Sequence, residues 1–345
     1  MTHSIKVPAG AGPRVGPAPT ATTTAPKARS EWLAARLQRH GALAVLAIMV
    51  MIATGAFDTF GTMDNAQNIA IQSSFFAIVA LGMTFVIISD GIDLSVGSVF
   101  ALGGVLAAYG SQWGLLPALL LPLAVCGTIG AINGLLVAKT RMPPFIVTLA
   151  SLLGARGLLL AITNEGSDTF LIPKGSAFAE LGQGTFAGFG YPVFIAVALF
   201  GIGGLVLQRT RMGQSVYAVG GSEDAASMMG LPVARIRISV YLMSGLLAGL
   251  AGALNAARLS SGVTILGVGM ELDAIAAVVI GGTLLVGGAG TLSGTLCGVL
   301  LLGVIQNVIN QIGSLNSSYQ SVVSGAFLIV VVVAQTYLSR SQRLR

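Results

Sequence analysis

The sequence predicts an all-α polytopic membrane protein of about ten transmembrane helices, and three observations predict it. Hydrophobic residues fill 54% of the 345 positions and charged residues 9%, against roughly 25% charged in soluble domains. A chain with so few charges cannot cover a water-facing surface, and a mean hydropathy of +0.87 makes lipid the solvent for most of it. The apolar residues fall into runs close to the ~20 residues that cross ~30 Å of hydrocarbon. The cations sit in tails and between runs, not in a stripe with interleaved aromatics. The net charge of +6 therefore encodes membrane orientation and not a nucleic-acid surface.

In chain order, residues 1–39 form a tail. Its first 29 residues are rich in Pro, Ala, Thr and Gly and have too few large apolar side chains for a core, which predicts disorder. No apolar stretch precedes a small-residue cleavage site, so a signal peptide is not expected. Ser30 is placed to cap a short helix through His40, with Trp32, Leu33 and Leu37 on one side and Arg36 and Arg39 reaching the interface. The apolar region spans 40–338, and 339–345 is a basic tail. Within 40–338 the expected spans are 41–57, 70–89, 94–109, 115–138, 145–163, 190–207, 239–257, 272–288, 292–312 and 319–338. The runs 94–109 and 272–288 are short and Gly-rich, which leaves broken or re-entrant segments open.

Fifteen of the 18 Lys and Arg residues lie in the N-terminal tail, the 139–144 connection, the 208–238 loop and the C-terminal tail. An even number of spans puts all four regions on one face, which the positive-inside rule makes cytoplasmic together with both termini. The opposite loops carry Asp58, Asp64, Glu165, Asp168 and Glu180 against Lys174 and Arg258. Gly290, Gly294 and Gly298 form two small-xxx-small steps, and Gly130/Gly134 and Gly245/Gly249 form others; such spacing lets helix backbones approach closely. Cys126 and Cys297 stand far apart inside apolar runs without ligand-type spacing, and read as buried small hydrophobes.

Two loops carry information. In 208–238, Ser222 is a good N-cap, Glu223 and Asp224 complement the helix dipole, Gly230 suits a C-terminal cap and Pro232 stops continuation. The result is a helix of about two turns, too short to stand alone. Ala225, Ala226, Met228 and Met229 give it a small apolar surface. Residue spacing alone leaves two destinations open: packing back on its own bundle, or docking to a cytoplasmic partner. The other long loop, 164–189, is acidic and rich in Gly, Ser, Thr and Phe, and is either a docking surface or a plain surface loop.

Four segments carry a resemblance: GMTFVIISDGIDLSVGS (82–98), NGLLVAKTRMPPFIVTLASLLGARG (133–157), MGQSVYAVGGSEDAASMMGLPVARIRISVYLMSGLLAGLAGAL (212–254) and ELDAIAAVVIGGTLLVGGAGTLSGTLCGVLLLG (271–303). They resemble the permease subunits of bacterial ATP-binding cassette (ABC) importers for ribose and related monosaccharides, in order and over about 40–338. The resemblance implies a type II-like importer bundle that pairs with a second permease subunit, as homodimer or heterodimer. It implies two cytoplasmic ATP-binding subunits, an extracytoplasmic sugar-binding protein and alternating access in the inner membrane. It also assigns ATPase coupling to Gly221–Gly230, with Gly221, Ser222, Glu223, Asp224, Ala225 and Gly230 in that role. No G-x-x-x-x-G-K-[ST] run is present in the sequence, so ATP hydrolysis is expected on another polypeptide, and no cofactor, metal or catalytic residue is expected here.

Ionisable and amide groups within or beside the spans are candidates for the translocation path or its gates. These are Asp90 and Asp93 in SDGIDLS, Asn133, Arg156, Glu271 and Asp273. Asp93 equally suits a cap for the third span, and Glu271 and Asp273 a helix N-terminus, with Arg258 as a partner for either. Three other classes compete. An ion-coupled secondary transporter would favour acid or His relays at mid-membrane, yet His3 and His40 both lie outside the spans. A passive channel would not need the capped cytoplasmic helix, and a membrane enzyme would need a constellation of nucleophile and base or metal ligands.

Overall fold

The computed structural model describes residues 42–312 except Arg141, together with positions 322, 325, 326 and 329. The N-terminal tail with its expected interfacial helix, nearly all of the tenth expected span and the basic C-terminal tail lie outside the described residues. The helices are α1 (Ala42–Ala56), α2 (Met63–Ile88), α3 (Val96–Gly110), α4 (Leu115–Thr140), α5 (Pro144–Ile162), α6 (Ala177–Gln183), α7 (Tyr191–Arg209), α8 (Arg211–Gly221), α9 (Glu223–Met228), α10 (Val233–Leu259), α11 (Met270–Ile280) and α12 (Leu292–Ile312). A two-residue antiparallel hairpin, β1 (Thr185–Phe186) with β2 (Phe189–Gly190), follows α6 in the 164–189 loop.

Among the described residues six helices are long and apolar enough to cross a membrane, namely α2, α4, α5, α7, α10 and α12. Burial sorts them into layers. In α2 89% of the apolar window is buried, in α10 56%, and in α4, α5 and α7 28% or less. α2 and α10 therefore form the axis of the bundle, α12 is half-buried beside them at 50%, and α4, α5 and α7 present wide apolar faces outward, as lipid permits.

Glycine sets the packing at that axis. On α4, a Cβ at Gly130 would overlap the Tyr241 carbonyl, and one at Gly134 would stand 2.7 Å from the Ile238 Cα. From the other side, a Cβ at Gly249 of α10 would lie 2.7 Å from the Cys126 Cβ. The two small-xxx-small steps thus seat α4 on α10 at backbone distance, which explains why Cys126 is fully buried.

The two short Gly-rich runs differ from ordinary spans. α3 is 15 residues long and lies parallel to α10, Gly103 facing Gly249 and Gly104 facing Gly252. The run expected as a single span at 272–288 is helical only to Ile280. Beyond it Gly282 (φ 90°), Gly287 and Gly288 (both φ 75°) turn the chain, conformations that cost a side chain about 1–2 kcal/mol. At 11 residues, α11 is ~16 Å long, half the hydrocarbon thickness. The rest of this crossing is turns and irregular chain. After α10, residues 260–269 run back along α3: Gly262 packs on Val105 and Ala108, and Gly267 reaches Gly97.

Candidate functional site

The basic connections meet on one face of the bundle, called here the basic face, where α7, α8, α9 and α10 join. Thr210 caps α8, its Oγ1 accepting from the Gly213 amide at 3.3 Å. Ser222 caps α9, its Oγ accepting from the Ala225 amide at 3.3 Å. The α9 end closes as a Schellman motif: the Leu231 amide donates to the Ala226 carbonyl and the Gly230 amide to the Ser227 carbonyl, with Gly230 at φ 78°. Arg237 Nη2 donates to Glu223 Oε2 at 2.6 Å and ties α9 to the first turns of α10. Met228 and Met229 stay 89% and 69% exposed. Beside them a groove of about 540 Å³ lies between the α4–α5 connection and α10, lined by Met142, Pro143, Glu223, Asp224 and Arg237 among others.

Three chain segments lock together behind this loop. The α2 end is a second Schellman motif, with Asp90 at φ 60° in the left-handed position that glycine usually takes. The Gly91 amide donates to the Val86 carbonyl and the Asp90 amide to the Ile87 carbonyl. The Ile88 carbonyl accepts from the Gly288 amide at 2.9 Å, and the Tyr217 hydroxyl of α8 donates to the Gly290 carbonyl at 2.7 Å. Gly220 fills the remaining space, because a Cβ there would overlap the Ile88 carbonyl and stand 2.8 Å from the Gly288 nitrogen. Partial burial pushes the Asp90 carboxyl above the ordinary carboxylate range, with Arg237 opposing and Glu223 reinforcing the shift. Asp90 thus belongs electrostatically to the α9 loop.

Asp93 and Asn133 occupy a different place. Asp93 is 1% exposed and Asn133 0%. Asp93 Oδ1 accepts from the Ser95 amide at 3.0 Å and the Ser95 hydroxyl at 2.6 Å, and Oδ2 accepts from the Ser244 hydroxyl at 2.8 Å. Asn133 Nδ2 donates to Ser95 Oγ at 3.2 Å, and the Ser151 hydroxyl donates to Asn133 Oδ1. The network joins α3, α4, α5 and α10 at the start of α3. A buried carboxylate requires such partners, and here they also hold the turn before α3 in place.

Arg156 is spent on backbone. Its Nη1 donates to the Thr264 and Leu266 carbonyls at 2.7 and 3.1 Å, and Nη2 donates to Leu266 at 3.1 Å. These carbonyls belong to the irregular segment 260–269, which has no helix to satisfy them. Irregular backbone at membrane depth is stable only when protein groups supply partners, and a guanidinium fork supplies several at once. Glu271 lies within electrostatic reach of Arg156, and its Oε2 is buried without a hydrogen-bond partner among the described residues.

Away from the basic face lies a cavity of about 750 Å³ among α2, α3, α10, α11 and α12. Of the candidate path residues, Asp273 lines it, as does Arg258; Asp90, Asp93, Asn133, Arg156 and Glu271 do not. Its other polar walls are the carboxamides Gln72, Asn255 and Gln306, and its aromatic walls are Phe75, Phe76 and Phe100. Sequence reasoning passed over these residues because it weighed chiefly ionisable groups, with Asn133 the one amide among them. The available signal was weaker: single neutral amides, each within an otherwise apolar helix.

The family model for the permease component of branched-chain amino acid transport systems matches residues 65–332. The Escherichia coli K12 ribose import permease protein RbsC is 41% identical over 315 residues, covering 90% of this chain and 98% of that protein. The L-arabinose ABC transporter permease protein AraH of Azospirillum brasilense is 34% identical over 341 residues, 96% of each chain. The fructose import permease protein FruG of Bifidobacterium longum is 32% identical over 332 residues, 91% of this chain and 96% of that protein. No solved structure matches the chain at a significant level. With a family model over most of its length and sugar-import permeases along its whole membrane region, the chain belongs to this permease family as a multi-pass, ABC-type sugar permease, a transport component and not an enzyme.

Proposed function

We propose that this chain is one of two permease subunits that together import a monosaccharide into the cytoplasm by alternating access, powered by ATP hydrolysis on separate subunits. The basic face is the cytoplasmic face and carries both termini. The single observation behind this reading is the α8–α9 pair. It offers Met228 and Met229 to solvent at the tip, while its base is wedged by Gly220 and Tyr217 against the ends of α2 and of the α11–α12 turn. A short helix that is capped at both ends, apolar outside and locked inside is built to receive a push and pass it to the bundle. The receiving groove belongs to the ATP-binding subunit, with Gly221, Ser222, Glu223, Asp224, Ala225 and Gly230 forming the coupling element. ATP binds the closed ATPase pair better than the open one, and that difference in affinity drives the bundle from inward- to outward-open. An extracytoplasmic binding protein then delivers sugar to the opposite face, into the cavity beside Asp273.

The test is uptake into proteoliposomes holding the permease, its ATP-binding subunit and its binding protein. Uptake of D-ribose, L-arabinose or D-fructose that requires ATP and the ATP-binding subunit supports the proposal. Uptake that persists unchanged without either would overturn it in favour of an ion-coupled carrier.

A further inference from the structure

We infer that the cavity lined by Gln72, Asn255 and Gln306 is a specific subsite for an uncharged, polyhydroxylated ring of monosaccharide size, held within this one chain. The inference rests on the importer reading above and adds the place and the chemistry of recognition.

The amides of the bundle fall into two sets. Asn307, one residue beyond Gln306, exchanges hydrogen bonds with Asn65 at 2.7 and 3.2 Å, and Gln311 donates to Asn307 at 2.9 Å while accepting from Thr59 at 3.1 Å. That set is satisfied within the protein and fastens α12 to α2. By contrast, the side chains of Gln72, Asn255 and Gln306 hydrogen-bond to no other described residue, although they come from three helices and line one cavity. Ser73 adds a buried hydroxyl whose Oγ has no partner among the described residues, on the same wall. Gln72 is exposed and Asn255 and Gln306 are half-buried, so water in the cavity can satisfy all three carboxamides. A guest carrying hydroxyls can take the place of that water, and the buried Ser73 hydroxyl, unpaired among the described residues, gains a partner in the exchange.

The chemistry of the wall selects the guest. A carboxamide offers both donors and an acceptor, which matches a hydroxyl that both donates and accepts. One acid, Asp273, and one base, Arg258, stand on the wall, so the field favours neither a net anion nor a net cation. Phe75, Phe76 and Phe100 give flat apolar surface, suited to the C–H face of a sugar ring whose edge carries the hydroxyls. The volume of about 750 Å³ falls in the ordinary range of small-molecule sites, ~300–1,000 Å³, and leaves room for water beside one ring. It does not select a longer oligosaccharide.

The experiment uses the complete transporter in proteoliposomes with its own binding protein and ATP-binding subunit. D-Ribose, L-arabinose and D-fructose are first compared, and the sugar transported fastest is then set against its monodeoxy analogues. Maximal rates are measured with each sugar separately at saturating loaded binding protein, so that the permease step is read. Near-isosteric variants Gln72→Met, Asn255→Leu and Gln306→Met preserve shape. Each is expected to lower the maximal rate for the parent sugar roughly three- to tenfold, the worth of one neutral hydrogen bond. The same variant should cost little for the deoxy analogue that lacks the matching hydroxyl. Asn307→Leu is the control: it weakens thermal stability and leaves the ratios between sugars as in wild type. If every sugar is slowed by the same factor in all three variants, or none is slowed, the subsite is wrong and the cavity merely holds water. If no sugar in the panel is taken up with ATP, the importer reading fails, and this site with it.

Discussion

Gly220→Ala and Gly221→Ala are neighbouring substitutions with opposite expected outcomes. Both residues end α8, and both changes raise helix propensity by up to about 1 kcal/mol. At Gly221 a Cβ meets nothing within 4 Å, so that gain stands. At Gly220 a methyl would overlap the Ile88 carbonyl and lie 2.8 Å from the Gly288 nitrogen, where non-bonded C···O contacts need ~3.3 Å or more. Backbone atoms cannot turn aside as a side-chain end can, so α8 must withdraw by about 1 Å from the α2 end and the 287–290 turn. That displacement pulls the Tyr217 hydroxyl of α8 from 2.7 Å to ~3.5 Å or beyond from the Gly290 carbonyl, the limit of a hydrogen bond. Overpacking of this kind costs about 1–3 kcal/mol, and a lost hydrogen bond adds about 1 kcal/mol. The assay is uptake and ATP hydrolysis by the reconstituted transporter, beside thermal unfolding of the purified permease. Gly220→Ala should lower uptake at least tenfold while ATP hydrolysis continues, and should unfold at lower temperature. Gly221→Ala should unfold at or slightly above the wild-type temperature, since its Cβ meets nothing within 4 Å. Wild-type uptake and unfolding in Gly220→Ala would refute the wedge. So would an equal loss of stability in both variants.

Three further perturbations test other parts of the structure. Arg156→Met removes the donors that hold Thr264 and Leu266; since hydrogen bonds to charged groups are worth about 1.5–3 kcal/mol each, it should open segment 260–269 to protease and lower the unfolding temperature, and unchanged proteolysis would count against the clamp. Gly230→Val forces a β-branched residue to φ 78°, a cost of about 1–2 kcal/mol, and should unwind α9 and abolish coupled uptake while membrane insertion continues; normal transport would sink the coupling assignment. Asp93→Ala strands the amide of Ser95 and the hydroxyls of Ser95 and Ser244, and each buried orphan costs about 1–3 kcal/mol. Its stability should fall well below that of Asp93→Asn, which keeps an acceptor, and equal stability of the two would contradict the anchoring role.

Long apolar runs were legible because hydropathy and length act together: 115–138, 145–163, 190–207 and 292–312 fall within two residues of α4, α5, α7 and α12. The ends that escaped are the polar ones. α2 begins at Met63 and not at 70, with the Thr62 cap and Asn65 bonded to Phe60 and Asn307 in its polar first turn, and α10 begins at Val233 among arginines outside the apolar run. Hydropathy also carried the eighth span through 281–288, because Leu284, Leu285 and Val286 are apolar whether or not the backbone is helical; the glycines with positive φ decide against helix there. α8 was missed because its sequence, RMGQSVYAVGG, is too polar to read as a span and has glycine where a helix is not expected. At the candidate sites, the two caps of α9 were written in Ser222 and Gly230, since capping is a local chemistry. The partners of Arg156 were not, because they are backbone carbonyls more than a hundred positions away.

The broken span connects the two ends of the molecule. Asp273 and Met270, in the first turns of α11, line the cavity away from the basic face. The turn that follows α11 is bound to Ile88 through the Gly288 amide and to Tyr217 through the Gly290 carbonyl. Between them lies a single helix of 11 residues with glycine turns at its basic-face end and an irregular, Arg156-held segment at the other. A continuous span of ~20 residues packed along its whole length would resist tilting. On the alternating-access proposal, a half-length helix bounded by glycines has only to rotate for a push at α8 to reach the cavity wall. On that proposal Gly220 and Asp273, which lines the cavity, act as one mechanical unit. The double variant Gly220→Ala with Asp273→Asn should therefore lose less uptake than the product of the two single losses, the mark of residues acting through one element. Strictly multiplicative losses would separate the two ends and leave α11 as scaffold.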